Sequence, residues 1–403
     1  MNTDILVVGC GPAGATAAVG LAKLGYQPIV VGRSRGHEVT EGLSSRVLST
    51  LRYCDFASTL ETLSSTVPRR SEWNGESVSV NSESLVCRTS FDQALLQDLQ
   101  RQGICHLDGL IEGLKFDSGQ WTCRARLADG QTQQISANYL VDARGRASPL
   151  PRTGRVRGPD SVSVYQNWAV ASGEPFTTVA TTAVGWLWLA DDGRGNLYTQ
   201  LTTDSQSRNF QSKGDIPEAI LVQLAEAGIH YPKMNNMTPV GSPGARSSTP
   251  IFSGQVISQN CIRIGDAAMA PDPLSGSGVF MALSSALIAP AVINTILQRP
   301  EEADLARSFY RDRLSHQFLR LGRMGRDFYQ MESRWNSAPF WGNRRQWPDS
   351  KLLESSDTVI DVEQRAVVNG GWIECKTVAI TEQSPQGIWK VDNRDALRRI
   401  REK

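Results

Sequence analysis

Apolar residues follow distinct rhythms along the chain, and each rhythm predicts a different kind of element. The unbroken run Ile5-Leu6-Val7-Val8, followed by glycines and then Ala15-Thr16-Ala17-Ala18, predicts a buried strand, a tight turn and a close-packed helix. Gln27-Pro28-Ile29-Val30-Val31 reads as a second strand and residues 44–66 as helical. Residues 78–86 open with alternating valines. Residues 103–141 alternate in short strands, with turns at Asp117-Ser118-Gly119 and Asp129-Gly130, the pattern of a meander. From about 160 to 250 the period is two: Ser163 to Val170, then Gly185-Trp186-Leu187-Trp188-Leu189-Ala190, then a turn at 191–195 and Asn196-Leu197-Tyr198 onward. These read as antiparallel strands. After Pro300 the chain becomes charged, with apolar residues spaced for amphipathic helices.

The first turn carries chemistry. Gly9 permits the sharp bend, Gly11 lets backbone approach a pyrophosphate, and Gly14 lets the helix lie close to the strand. The helix start then aims free amides and partial positive charge at phosphate. A second signature, Cys261-Ile262-Arg263-Ile264-Gly265-Asp266, reads as a short buried strand ending in Gly-Asp. It is followed by Pro271-Asp272-Pro273-Leu274-Ser275-Gly276-Ser277-Gly278 and a long apolar helix. By itself Asp266 reads equally well as a helix N-cap. Two further stretches are Asn138-Tyr139-Leu140-Val141-Asp142-Ala143-Arg144-Gly145-Arg146-Ala147-Ser148 and Arg88-Thr89-Ser90-Phe91-Asp92-Gln93-Ala94-Leu95.

Together these segments resemble the FAD-dependent monooxygenases of the aromatic-hydroxylase superfamily, firmly over residues 4–160 and 255–300. The resemblance implies an α/β fold, α+β overall. It would comprise a Rossmann-like FAD-binding domain with a β-meander (1–158 and 251–300, with about 67–87 joining the substrate sheet), an antiparallel-sheet substrate domain (159–250) and a helical C-terminal cap (301–403). It implies an FAD site built from Gly9, Gly11, Pro12, Ala13, Gly14, Gly42 and Leu43. Arg88 would stand near the ribityl and phosphate end, and Ile111 would meet adenine through its backbone. Gly265 and Asp266 would hold the ribityl chain and pyrophosphate, and Pro273, Gly276, Ser277 and Gly278 would lead into a helix facing the flavin. Proline after the second glycine leans toward FAD over NAD by the same resemblance.

One position departs from the pattern. The second strand should end in an acid that binds the adenosine ribose, yet Gly32 and Arg33 stand there. Weak or easily lost FAD is the expectation, with Arg33 or Arg35 reaching the adenosine.

Within the superfamily the chain looks closest to the branch containing tryptophan halogenases, geranylgeranyl reductases and flavoproteins that modify a partner's tryptophan. The residues are Glu41-Gly42-Leu43-Ser44, Asp272-Pro273-Leu274 to Gly278, Trp186-Leu187-Trp188, and Phe340-Trp341 with Arg344. Halogenases relay hypohalous acid through a lysine, but no lysine occurs from 24 to 114, and the Ile-Pro that closes their tryptophan motif is missing. Halogenation is therefore disfavoured. The resemblance implies an FAD-dependent monooxygenase acting through a flavin C4a-hydroperoxide on dioxygen, with NAD(P)H or a reductase as electron source. The substrate would be a tryptophan of a precursor protein, an oxidase or dehydrogenase subunit, on the way to a cysteine tryptophylquinone type of cofactor. A hydroxylase of a free aromatic or polyketide, a geranylgeranyl-reductase-like enzyme and a non-catalytic flavin-binding assembly factor are the alternatives. Trp186, Trp188 and Tyr198 are substrate-pocket candidates, with packing between sheet and FAD domain the plainer reading. No catalytic side chain is named, because the flavin carries the chemistry.

Composition narrows this further. At 403 residues the chain exceeds one typical core. Forty-two basic against 41 acidic residues, with neither sign in long runs, argue against nucleic acid as a partner. Seven cysteines without a CxxC pair and four histidines give no metal site or disulfide framework. The nucleotide strand begins too early for a leader ahead of it, so a cytoplasmic location is expected. Residues 279–297 approach membrane-spanning length, but Ser284, Ser285, Pro290 and Asn294 interrupt them, so a buried helix and no membrane span are expected.

Overall fold

A computed structural model describes residues 1–34, 36, 38–149, 153–206, 212–229, 236–353, 358–391, 394 and 395. Its mixed α/β architecture rests on two large sheets. The first has seven strands. Cys105–Leu107, Ile29–Val31, Asn2–Val8 and Thr132–Asp142 run parallel, Cys261–Arg263 joins Thr132–Asp142 at its end, and Gln120–Leu127 and Gly109–Asp117 continue it as an antiparallel meander. The central strands are buried on both faces, which is why Ile5 to Val8 is a continuous apolar run.

The helix Pro12–Lys23 lies on this sheet and against the helix Gly278–Gln298. A Cβ on Gly20 would come within 2.6 Å of the Pro290 ring, so glycine there sets how closely these helices cross. Gly278–Gln298 is long and apolar enough to cross a membrane, but 72% of its most apolar window is buried inside the protein, also against the helix Ala303–Met331.

The second sheet has eight strands, in the order Thr238–Ser247, Ser161–Ala169, Asn196–Asp204, Gly185–Asp191, Phe176–Thr182, Thr66–Trp73, Glu76–Cys87 and Thr40–Leu43. Its two faces have opposite chemistry, because successive side chains in a strand point opposite ways. On one face Val164, Trp168, Ala180, Leu187, Leu189, Leu197 and Leu201 form an aliphatic core. The helix Ile216–Glu226 covers that core with Ile216, Ile220 and Leu224, four residues apart on one stripe. On the other face one cross-strand row runs Val78, Ser71, Val179, Trp188, Gln200, Tyr165. That polar and aromatic face looks toward the first sheet's turns.

The C-terminal region holds the helices expected of 301–403 and adds a β-hairpin to them. Helices occupy Ala303–Met331 and Pro339–Arg344, but Val359–Asn369 and Trp372–Thr381 form a β-hairpin. Its outer strand is largely exposed and charged, whereas Ile373, Val378 and Ala379 are buried. In the outer strand Asp361, Glu363 and Arg365 alternate along one face, the period of a strand. The late tryptophans are spread over the region. Trp341 is buried and its Nε1 donates to the Thr182 carbonyl at 3.0 Å. Trp347 packs edgewise on Phe318 at 5.6 Å, Trp372 lies under Arg299 at 3.8 Å, and Trp389 under Lys390 at 4.1 Å.

Glu332, just past the long helix, fastens this region to the second sheet. Its buried carboxylate accepts from Thr181 Oγ1 at 2.7 Å, the Asn74 amide at 2.9 Å, and the Arg334 amide and Nη2 at 3.0 and 2.8 Å. Burial alone would raise its pKa, but the hydrogen bonds from Arg334, Thr181 and the backbone outweigh burial and hold it below the ordinary value. The folded-state value is the depressed one, so the stabilisation is present above the unfolded-state pKa and fades as pH falls through the folded one. Chemical denaturation between neutral pH and about pH 3 should show this loss. Glu332→Gln should flatten that part of the pH profile and cost about 2 kcal/mol at neutral pH.

Candidate functional site

A cavity of about 660 Å³ lies between the first sheet's glycine turn and the polar face of the second sheet. At one end Gly9, Gly11, Pro12 and Ala13 line it. Gly9 has φ +108°, and a Cβ there would stand 2.3 Å from the Ala143 carbonyl oxygen. Gly14 lies behind the wall, where a Cβ would come within 1.9 Å of the Gly9 carbonyl oxygen. Gly11 differs, because its Cβ position is open, with no atom within 4 Å. As N-cap of Pro12–Lys23 it offers no side-chain acceptor, so the first-turn amides keep their capacity for an anion. Cys10, beside it, is a buried thiol whose pKa burial pushes up to about 12, with Asp92 adding to the rise.

Two other chain segments complete this end. Gly265, at φ +58°, brings its backbone so close to the first helix that a Cβ would meet the Ala13 methyl at 2.9 Å, and its amide donates to Ser285 Oγ at 2.8 Å. Asp266 sits in the short 3₁₀ turn Gly265–Ala267, not at a helix N-cap, and lines the cavity with Arg146 at 3.5 Å. Asp142 anchors the neighbouring turn by accepting from Arg144 Nε and Nη2 at 2.9 and 2.8 Å and from Ser148 Oγ at 2.6 Å. Pro273, Gly276 and Gly278 line the cavity, while Ser277 turns its hydroxyl back to the Ser275 carbonyl at 3.0 Å. The helix Gly278–Gln298 opens toward the cavity with no side-chain cap.

Arg88 is buried and salt-bridged to Asp92 at 2.7 Å and Glu41 at 3.0 Å. Burial alone would lower its pKa, but Glu41 and Asp92 more than offset this and hold it above the ordinary guanidinium value. Gly42 lines the cavity and Leu43 is buried behind it. At the far end stands Arg33, paired with Asp108 at 3.5 Å. An acid at position 32 would be obstructed, since a Cβ on Gly32 would stand 2.8 Å from the Cys10 amide nitrogen. Arg35 lies outside the described residues. Ile111 is half-buried in the meander and does not line the cavity.

The opposite end is walled by the second sheet through Arg69, Glu83, Val179, Trp186, Trp188, Gln200 and Arg246. Trp186 Nε1 donates to the Tyr329 hydroxyl at 3.3 Å, which in turn donates to Asp272 at 3.1 Å, linking sheet, long helix and the glycine-rich turn. Burial holds the Asp272 carboxyl above its usual value, against the Leu274 amide and Arg344. Tyr198 falls short of the cavity. It stacks on Tyr165 at 5.7 Å and supports the edge of Trp188 at 5.7 Å. Sequence reasoning missed Arg69, Glu83, Gln200, Arg246 and Tyr329, and named Asp272 only as part of its motif. The period-two pattern running outward from Trp186 and Trp188 was the signal for the sheet residues.

A model of the tryptophan halogenase family matches residues 86–372. The chain belongs to the tryptophan halogenase family. Among curated proteins it is 26% identical to a tryptophan 2-halogenase of Chondromyces crocatus, over 84% of this chain and 70% of that one. It is 25% identical to a menaquinone reductase of Mycobacterium tuberculosis, over 73% and 77%. Among solved structures, the peptidyl tryptophan dihydroxylase QhpG, essential for tryptophylquinone cofactor biogenesis, is 39% identical with TM-score 0.84, covering 100% of this chain and 92% of that one. The chondrochloren halogenase CndH, an FAD-dependent halogenase, shares the fold at 19% identity and TM-score 0.74, over 85% and 86%.

The cofactor of this family member is FAD, and the enzyme is an FAD-dependent oxidoreductase. The residues present fit the group. Gly11 leaves open space above uncapped amides, two helix starts face one elongated cavity, and no aspartate or glutamate stands in the first turn of Pro12–Lys23 to repel phosphate.

Two outcomes follow for flavin titrations of the apoprotein. Gly11→Val should leave thermal unfolding near wild type yet weaken FAD binding at least about tenfold, because its side chain enters only the phosphate space, whereas Gly14→Val should lower the unfolding temperature itself. Wild-type affinity should be weaker than about 1 μM for want of a ribose-binding acid, and a sub-micromolar value would overturn that expectation.

Proposed function

We propose that this enzyme hydroxylates a tryptophan side chain of a precursor protein during maturation of a cysteine tryptophylquinone type of cofactor. The observation that carries the reading is the likeness to the peptidyl tryptophan dihydroxylase, which runs the full length of the chain at twice the identity shared with the solved halogenases. The cavity supports it. No lysine lines the wall among the described residues, so the cation that halogenases use as a relay is missing.

Bound FAD, reduced by NAD(P)H or a separate reductase, would supply the activation of dioxygen and the transfer of one oxygen atom. The remaining work falls to side chains. Gly276, Gly278 and the helix start behind them would present amides to the ring. Trp186, held by Tyr329 and Asp272, and Trp188, supported by Tyr198, give a stiff aromatic wall against which an indole can stack. Expulsion of water by that wall favours oxygen transfer over wasteful breakdown. The reaction is assigned to the cytoplasm, before the precursor is completed.

The test combines FAD-loaded enzyme, NADH, a flavin reductase and the tryptophylquinone-protein precursor in buffer containing chloride and bromide. The expected product is precursor heavier by one or two oxygen atoms on tryptophan, located by peptide mass spectrometry. Halogenated tryptophan, or oxygenation only of free aromatics, would overturn the proposal.

A further inference from the structure

Nearly every charged side chain on the cavity wall is matched within the protein. Arg88 has Glu41 and Asp92, Arg144 has Asp142, Arg146 has Asp266, and Arg246 has Gln200 at 2.6 Å. Asp272 has Tyr329 and the Leu274 amide. Arg69 and Glu83 stand apart, with no hydrogen bond or ion pair among the described residues. Glu83 is only 8% exposed, and its Oε1 is fully buried without a partner. An unpaired buried carboxylate is costly, and proteins keep one where a ligand completes it.

Both groups are aimed by strand geometry. Glu83 lies opposite Val67, and Arg69 lies opposite Asn81, two positions along the same face as Val67. That face is the one carrying Val179, Trp186 and Trp188. The Glu83 carboxylate rests against Gly42, where a Cβ would meet Oε2 at 2.1 Å. The Arg69 guanidinium reaches toward the Gly276 turn, with Nη1 3.5 Å from the position of a Cβ there. One side chain therefore faces the flavin-side strand and the other the flavin-side turn, with the aromatic wall beside them.

We infer that Glu83 and Arg69 recognise the substrate tryptophan, Glu83 accepting the indole N–H and Arg69 donating to the carbonyl oxygen of the peptide that bears it. The inference rests on the proposed protein–tryptophan reading. Indole has a single hydrogen-bond donor and no acceptor, so a lone carboxylate in a dry cavity is a matched partner. The peptide carbonyl supplies the acceptor that a free guanidinium requires. Phenylalanine and tyrosine offer no N–H at that height on the ring, so the pair also gives a basis for choosing tryptophan.

Both touch the substrate in this arrangement, and their test separates its binding from folding and from flavin. Glu83→Gln and Arg69→Gln should retain wild-type FAD affinity and thermal unfolding, while KM for the precursor rises about 10- to 100-fold, the loss of one charge-assisted hydrogen bond. A precursor carrying benzothienylalanine, with sulfur in place of N–H, gives the decisive comparison. Wild type should bind it about 10-fold or more worse than the tryptophan form, whereas Glu83→Leu, which leaves no acceptor, should bind the two alike. Equal discrimination by wild type and Glu83→Leu would overturn the inference, as would weakened FAD with unchanged precursor binding. Failure of wild type to bind or oxidise the tryptophan precursor would instead overturn the reading on which it rests.

Discussion

Alternation of side chains across the eight-stranded sheet is the constraint on which the rest of the molecule depends. One parity of residues builds the aliphatic core under the helix Ile216–Glu226, and the other builds a wall of tryptophans, glutamine, arginine and glutamate over the nucleotide turns. A slip of one residue in Gly185–Asp191 would bury Trp186 and Trp188 among leucines and turn Leu187 and Leu189 into the cavity. Registry in this sheet is thus enforced by packing on the far side from the chemistry. The helix that touches nothing in the cavity decides which side chains face it.

The C-terminal region is tied to the second sheet through a few well-bonded joints. The series from Trp186 through Tyr329 to Asp272 couples the wall, the long C-terminal helix and the glycine-rich turn, and Glu332 performs the same service for the hairpin at Asn74. Arg344 adds a third joint, buried between Asp204, Ser161 and the ring of Phe340. Each joint is polar at its centre and ringed by aromatics, so its strength depends on excluding water. This arrangement holds the tryptophan-bearing wall against the glycine turns across the cavity without any disulfide among the described cysteines.

How much of this was legible depended on sequence distance. The glycine turn is written in six consecutive positions, because phosphate binding at a helix start is local, and Gly265-Asp266 and the Gly276 turn were readable for the same reason. Arg69 and Glu83 were not, since they become neighbours of Trp188 only once strands from three parts of the chain are put in register. Ile111 shows the converse: a role carried over from the family's pattern placed it at the cofactor, while its own strand keeps it in the meander. The C-terminal hairpin was hidden because Asp361, Glu363 and Arg365 alternate in its outer strand with apolar residues that are themselves exposed, Ile360 and Val362, so no buried apolar face marks it. Gly32 was legible as a departure from the usual acid, and the crowding by Cys10 that accompanies it became visible only in three dimensions.

Cys10 carries one more consequence. Cys10 lines the cavity, so any oxidant that enters there can reach its sulfur. A thiolate there would be converted to sulfenic acid and then to a permanent anion beside the phosphates, ending cofactor binding. Burial pushes its pKa up to about 12, so at neutral pH Cys10 stays protonated as a small apolar filler, and the turn's resistance to oxidation is built into the depth at which one atom is buried.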